Sequence, residues 1–291
     1  MLIIFIQKKL LLLLGTALLF SVDLMVAQNN LENAKELYDA AQYEAAKDLL
    51  EPIRAKQEND TAVQSLLGSV YAKLELWEKA VDEVEVLVDK YPDNAEYNFR
   101  YGGALGMVAK QANKFTALMM LDDVKFHLKK ATRLDKGHIN SRWALVQLYV
   151  ELPSIIGGTK ANAMQYADEL ADISPVDGAL ARGFVERAEE NYQAAEKYLK
   201  QAVDIGRSAT TYTKLTELYL EMELPEKAFA TLQEGIGQTK ATALKIKFAE
   251  MANKYNKNKA KAVAYLNDIS AKDIDAKLQN KVKKLLARSR S

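Results

Sequence analysis

The feature that most constrains this 291-residue chain is a recurrence. The tetrapeptide YEAA beginning at Tyr43 returns 34 residues later as WEKA at Trp77, and YQAA at Tyr192 returns 33 residues later as PEKA at Pro225. Each block leads into a run with apolar residues at helical spacing: AAKDLLEPI, AVDEVEVLV, AAEKYLKQAV and AFATLQEGI. A further helical stretch precedes each block, as at residues 63–74 and 211–222. The unit therefore reads as helix, tight turn, helix. One such pair cannot hide its apolar side, so neighbouring pairs must stack in series. With 5 Pro and 13 Gly, the chain is poorly supplied for many short strands and turns.

The best unit places Leu67 and Gly68 before Tyr71, then Ala80, Val84 and Leu87, then Pro92, with Gln64 in the opening position. A later unit carries Gly183, Ala195, Leu199 and Ala202, with Glu186 where a tyrosine is expected. The next carries Leu215, Tyr219, Ala228 and Leu232, with Thr216 where a glycine is expected. In this order and at this period the residues resemble the tetratricopeptide repeat, whose loose pattern is W-x2-L-G-x2-Y, then A-x3-F, then P. The resemblance implies an all-α, right-handed superhelical solenoid of antiparallel helix pairs. Small residues at Gly68, Ala80, Gly183 and Ala195 suit close helix crossings. Leu67, Tyr71, Val84 and Leu87 would fill the spaces between, each burial worth about 1.5–3 kcal/mol. Pro92 and Pro175 are expected just beyond helix ends, where a missing amide hydrogen stops propagation.

Ala80 and Ala195 lie 115 residues apart, 13 more than three units of 34, so the middle holds extra residues. Long helices at 97–112 and 116–134 would form an elongated third pair, and LPSIIGGT would join helices at 141–151 and 160–173. The repeat domain spans 28–269, with six pairs to residue 238 and a degenerate seventh. A segment at 270–291 supplies a capping helix, through Leu278, Val282, Leu285 and Leu286, and a basic tail.

In the family it resembles, the first helix of each pair lines a concave groove that receives a peptide or protein. Carried over by position, that groove would be lined by Lys35, Tyr38, Ser65, Ser69, Lys73, Phe99, Trp143, Gln147, Phe184, Arg187, Thr213 and Glu217. Phe99, Trp143 and Phe184 are candidate apolar anchors, and Lys73 and Arg187 would meet an acidic group. The competing role for each aromatic is packing inside the solenoid. The resulting expectation is a non-enzymatic scaffold for protein–protein interaction, with a protein or peptide as partner.

Residues 1–27 read as an address. Lys8 and Lys9 precede an apolar run at 10–20, with a small residue, Ala27, before a polar chain. The run is shorter than the roughly 20 residues of a spanning helix. A cleaved signal peptide, or alternatively a retained N-terminal anchor, places the remainder in the periplasm or outside the cell. The anchored alternative is a membrane-tethered accessory factor for envelope assembly or transport, touching the membrane through that segment or the basic tail.

Charge is balanced at 40 Lys+Arg against 39 Asp+Glu, but not evenly spread. Residues 254–291 hold 11 basic and 3 acidic side chains, a net +8, while 28–253 carry a net −8. The tail KVKKLLARSRS suits an anionic partner or a solvated outer face. It lacks the interleaved aromatics of a nucleic-acid binder, and no nucleic-acid partner is expected. The absence of cysteine excludes disulfides, thiolate metal sites and cysteine nucleophiles. Gly157, Gly158, Thr159 and Lys160 lack the spacing and preceding strand of a phosphate loop, and Thr159 is better placed to cap a helix. His127 and His138 show no ligand spacing, and no serine elbow occurs. No catalytic, cofactor-binding or metal-binding residue is assigned, and no cofactor is implied.

Overall fold

The structure is a computed structural model and describes residues 29–290 apart from residue 58, so the 1–27 address segment lies outside the described residues. Among the described residues there are fifteen α-helices and no strand. They are α1 (29–39), α2 (Tyr43–Lys56), α3 (Thr61–Lys73), α4 (Trp77–Lys90), α5 (Ala95–Gln111), α6 (Lys114–Leu134) and α7 (Ile139–Glu151). Then come α8 (Lys160–Ile173), α9 (Pro175–Ala188), α10 (Tyr192–Gly206), α11 (Ala209–Glu221), α12 (Pro225–Thr239), α13 (Thr242–Tyr255), α14 (Lys259–Asn267) and α15 (Ala276–Arg290). The fold is an all-α solenoid of helix pairs. The chain divides into two compact units, one ending at Ser141 and one beginning at Arg142 within α7.

The turn inside the repeat is built the same way wherever the tetrapeptide recurs. Ala41, Glu75, Glu190 and Glu223, each five residues before the marker alanine, adopt positive φ of 56–59°. The next amide then reaches back around the helix end: Gln42 N to Leu37 O (2.8 Å), Leu76 N to Tyr71 O (2.9 Å), Asn191 N to Glu186 O (2.9 Å) and Leu224 N to Tyr219 O (2.8 Å). These bonds satisfy carbonyls that the first helix leaves open, and reverse the chain within three residues.

In the first unit, the core joins Ala34, Ala46, Leu50, Val63, Leu67, Val70, Tyr71 and Ala80. Gly68 is buried, and a Cβ there would sit 3.0 Å from Val84 Cγ2. Pro92 lies just past α4 and is exposed, and its carbonyl accepts from Asn98 Nδ2 at 2.8 Å. The third pair is long, with α5 of 17 and α6 of 21 residues.

In the second unit, one continuous core runs from Ala195 through Leu199, Tyr212, Leu218, Ala228, Leu232 and Phe248 to Val282 and Leu285. Those last two residues of α15, with Leu278 and Leu286 against them, cover the final apolar side. Gly183 admits Leu199 so closely that an added Cβ would lie 2.7 Å from its Cγ. Glu186 stands where the repeat expects a tyrosine. It is buried, and takes hydrogen bonds from Lys160 Nζ (2.7 Å) and Asn191 Nδ2 (2.9 Å). Thr216 is likewise buried and donates to Tyr212 O at 2.7 Å, which answers its own hydroxyl. Thr159 caps α8 by accepting from Asn162 N.

Pro175 lies just past the end of α8, as expected, and also opens α9 at the first helical position, with Ser174 serving both as the end of α8 and as the cap of α9. Proline fits there because its fixed φ suits the helix and the amide it lacks has no partner in that turn.

Candidate functional site

The first helices of successive pairs are joined side to side by polar rungs, and four of the twelve groove residues named from sequence, Ser65, Trp143, Arg187 and Glu217, take part. In the first unit Arg100 of α5 reaches back to Ser65 of α3. Its Nη1 donates to Ser65 Oγ (2.9 Å) and its Nη2 to Ser65 O (2.6 Å). Ser69 Oγ donates to the same carbonyl at 3.0 Å. In the second unit Trp143 Nε1 donates to Asp177 Oδ1 (2.9 Å), linking α7 to α9. Arg187 pairs with Glu221, linking α9 to α11. Lys247 Nζ donates to Glu217 Oε1 (2.9 Å), linking α11 to α13. Burial alone would raise the Glu217 carboxyl, but Lys247 and Lys214 outweigh it and hold its pKa below the ordinary value.

These rungs decide what the row offers a ligand. Arg187 and Glu217 are engaged with neighbouring helices, so their charge is largely answered before any partner arrives. Lys35 pairs with Glu32 on its own helix, while Lys73 and Gln147 are exposed. Tyr38, Phe99, Trp143, Phe184 and Thr213 are neither free nor in the core; all are half-buried. Phe99 lies 5.2 Å, centroid to centroid, from the His138 ring. Phe99 beside His138 and Trp143 bonded to Asp177 are held before a ligand arrives, which limits the rotamer freedom lost on binding.

Arg100, Asp177, Glu221 and Lys247 were missed in the sequence. Each pairs with a groove residue 30–35 positions away, so a donor facing an acceptor one repeat along the chain was the available signal.

A second recurrent device sits between helices of adjoining pairs. Tyr71 donates to Glu51 (2.9 Å), and Lys79 reaches the same carboxylate (3.3 Å) while lying 5.1 Å over the tyrosine ring. Tyr219, Glu196 and Lys227 repeat it, at 2.8, 3.3 and 5.1 Å, with Lys200 as a further partner of Glu196. Hydrogen bonds from Lys200, Tyr219 and Lys227 overcome burial and hold Glu196 at about 2, while burial beside that carboxylate pushes Tyr219 up to about 12. The device joins one repeat to the next.

His127 and His138 also have structural roles. His127 Nδ1 and the buried Asn98 Oδ1 are 3.0 Å apart, and burial lowers the His127 pKa. His138 caps α7 by accepting from Ser141 N at 3.1 Å. Among the described residues no group of His, Cys, Asp or Glu is placed to hold a metal ion, and no helix is long and apolar enough to cross a membrane.

One surface had no counterpart in the sequence reading. Phe115, Leu118, Met119 and Phe126 of α6 are 73, 53, 69 and 53% exposed. They share a side of the helix roughly opposite the buried Leu121, Val124, Leu128 and Ala131. Helical spacing shows both stripes, but only the structure tells which of them is covered.

No family model matches the chain, and no curated protein matches it. Solved structures do. A tetratricopeptide repeat protein from Parabacteroides merdae superposes with a TM-score of 0.53 at 14% identity, over 91% of this chain and 99% of that one. The Cut9–Hcn1 hetero-tetramer of the APC/C superposes at 0.51 with 13% identity, over 89% of this chain and 48% of that one. With its turn, its crossing positions and its rungs all recurring at the repeat period, the chain has the tetratricopeptide-repeat fold.

Proposed function

We propose that this protein is a non-enzymatic interaction scaffold that binds a partner protein or peptide along the exposed side of its first helices. The observation that carries the proposal is the row on α7, α9 and α11, where Trp143 and Arg187 are pinned by Asp177 and Glu221. Gln147, Phe184 and Thr213 lie along the same helices, exposed or half-buried. A row fixed in advance lowers the ordering cost of binding. The exposed apolar stripe of α6 adds a second surface of the kind that marks interaction sites. The Cut9–Hcn1 complex is itself an assembly of proteins, which supports the same reading. The 1–27 segment supports work outside the cytoplasm, in the periplasm or beyond. Mass determination of the native N-terminus separates a cleaved signal from a retained tether.

A photo-crosslinking residue at exposed Gln147, compared with one at exposed Gln201 on the second helix α10, tests the proposal in intact cells. A discrete protein adduct at 147 and none at 201 is expected. No adduct at either position, or equal adducts at both, would overturn it.

A further inference from the structure

The C-terminal end of the second unit holds a cleft of about 790 Å³ between α13 and α15 that the groove does not include. Six cationic side chains line it: Lys254, Lys259, Lys277, Lys281, Lys284 and Arg288. Glu250 is the one carboxylate among the lining residues, and it is paired with Lys281 at 2.7 Å. Four of the cations come from α15 at positions i, i+4, i+7 and i+11, which on a helix is a single stripe. That stripe runs beside the side of α15 that buries Val282 and Leu285, so it faces the cleft wall.

Such a stripe is unfavourable left alone. Like charges three and four residues apart on a helix repel, and Lys254 of α13 and Lys259 at the start of α14 line the same cleft. An ordinary solvated helix side mixes signs, as α4 does with Lys79 among its acids. Glu250 answers Lys281 in the middle of the stripe, and an anion that enters relieves the repulsion of the cations on either side.

We infer that this cleft binds an extended acidic peptide segment with carboxylates at alternate positions. The inference rests on the interaction-scaffold reading and names the chemistry of a partner. Eleven residues of helix span roughly 16 Å, which is about five residues of extended chain. Every second side chain of such a chain points the same way at about 6.7 Å intervals, against about 5.5 Å between successive cations of the stripe. Three alternating carboxylates therefore cover about 13 Å of the stripe, on which Lys281 is already paired with Glu250. The recess favours a strand of chain over a flat bilayer, and no aromatic lines it to stack bases. The site is distinct from the row on α7, α9 and α11.

The test uses the full chain and fluorescent nine-residue peptides with three Glu at alternate positions, three contiguous Glu, or three Gln. Fluorescence anisotropy at low salt is expected to rank alternating above contiguous by several fold, with the Gln peptide not binding. Binding should fall about tenfold or more as ionic strength rises through the range where the Debye length shrinks below the spacing of the pairs. Lys277→Glu with Lys284→Glu, both on exposed positions, should abolish binding while helical content is unchanged. Equal binding of the alternating and contiguous peptides overturns the geometry. Binding of inorganic phosphate or anionic phosphatidylglycerol vesicles in preference to the peptide overturns the ligand class. Charge-dependent self-association in sedimentation, occluding the peptide, would assign the cleft to a second copy and overturn the inference. None of these results bears on the adduct at position 147, so the cleft and the scaffold fail separately.

Discussion

Gly178 gives the most demanding prediction about how the pairs fit together. A Cβ built there lies 2.3 Å from Ala171 Cα, 2.4 Å from its Cβ and 2.6 Å from its backbone nitrogen. Ordinary contact begins at about 3.4 Å, so α8 and α9 would have to part by about 1 Å where they cross. A flexible side chain could yield, but backbone cannot without moving the helix. Overpacking of this kind destabilises by about 1–3 kcal/mol, while replacing glycine by alanine inside a helix returns about 0.8–1 kcal/mol. Because the clash is with backbone, Gly178→Ala belongs near the upper end, a net loss of about 2 kcal/mol. Gly237 in α12 has no atom within 4 Å of an added Cβ, and Gly237→Ala should stabilise by about 0.5–1 kcal/mol. Urea denaturation followed by circular dichroism should therefore separate the two variants by about 2–3 kcal/mol. In thermal melts Gly178→Ala should lose about 4–8 °C. If Gly178→Ala proves as stable as Gly237→Ala, the two helices do not cross as closely as described.

Other consequences follow from the joints. Glu196, held at about 2 against an ordinary 4.5, stabilises the fold fully above pH 4.5 and loses that contribution as pH falls toward 2. Its lysine partners are half exposed, so solvent screening reduces the effect to about 1–2 kcal/mol. Glu196→Gln should lower stability by that amount at pH 7 and flatten the acid-denaturation curve between pH 4.5 and 2, read by fluorescence against the wild type. Glu223→Gly should raise stability by about 0.5–1 kcal/mol in urea titrations, because glycine adopts the positive φ without the left-handed penalty. Leu199→Ala should cost about 2–5 kcal/mol by the same assay, since the side chain is 3% exposed and packs into the space opposite Gly183.

The repeat was legible because the residues that set it are chemically conspicuous. Ala46, Ala80, Ala195 and Ala228 are all 0–1% exposed. The same chain positions generate the left-handed turn five residues earlier, so one periodic signal carries both packing and backbone. Gly178 escaped notice because it falls outside that pattern. Pro175 was legible as the residue past α8, but its second role of opening α9 was not, because a proline after one helix and a proline opening the next read alike in sequence. The residues named for the groove lie on first helices of their pairs, but the pairing of Trp143, Arg187 and Glu217 with Asp177, Glu221 and Lys247 depends on which helices lie side by side. The +8 of the last 38 residues was plain, but its concentration along one side of α15 becomes a recess only when α13 supplies the opposite wall.

Amide hydrogen exchange, measured on the protein alone and on the protein with its crosslinked partner, tests the scaffold claim most directly. Added protection concentrated on α7, α9 and α11, with α8, α10 and α12 unchanged, is the predicted result. Protection confined to the second helices, or none at all, would contradict it.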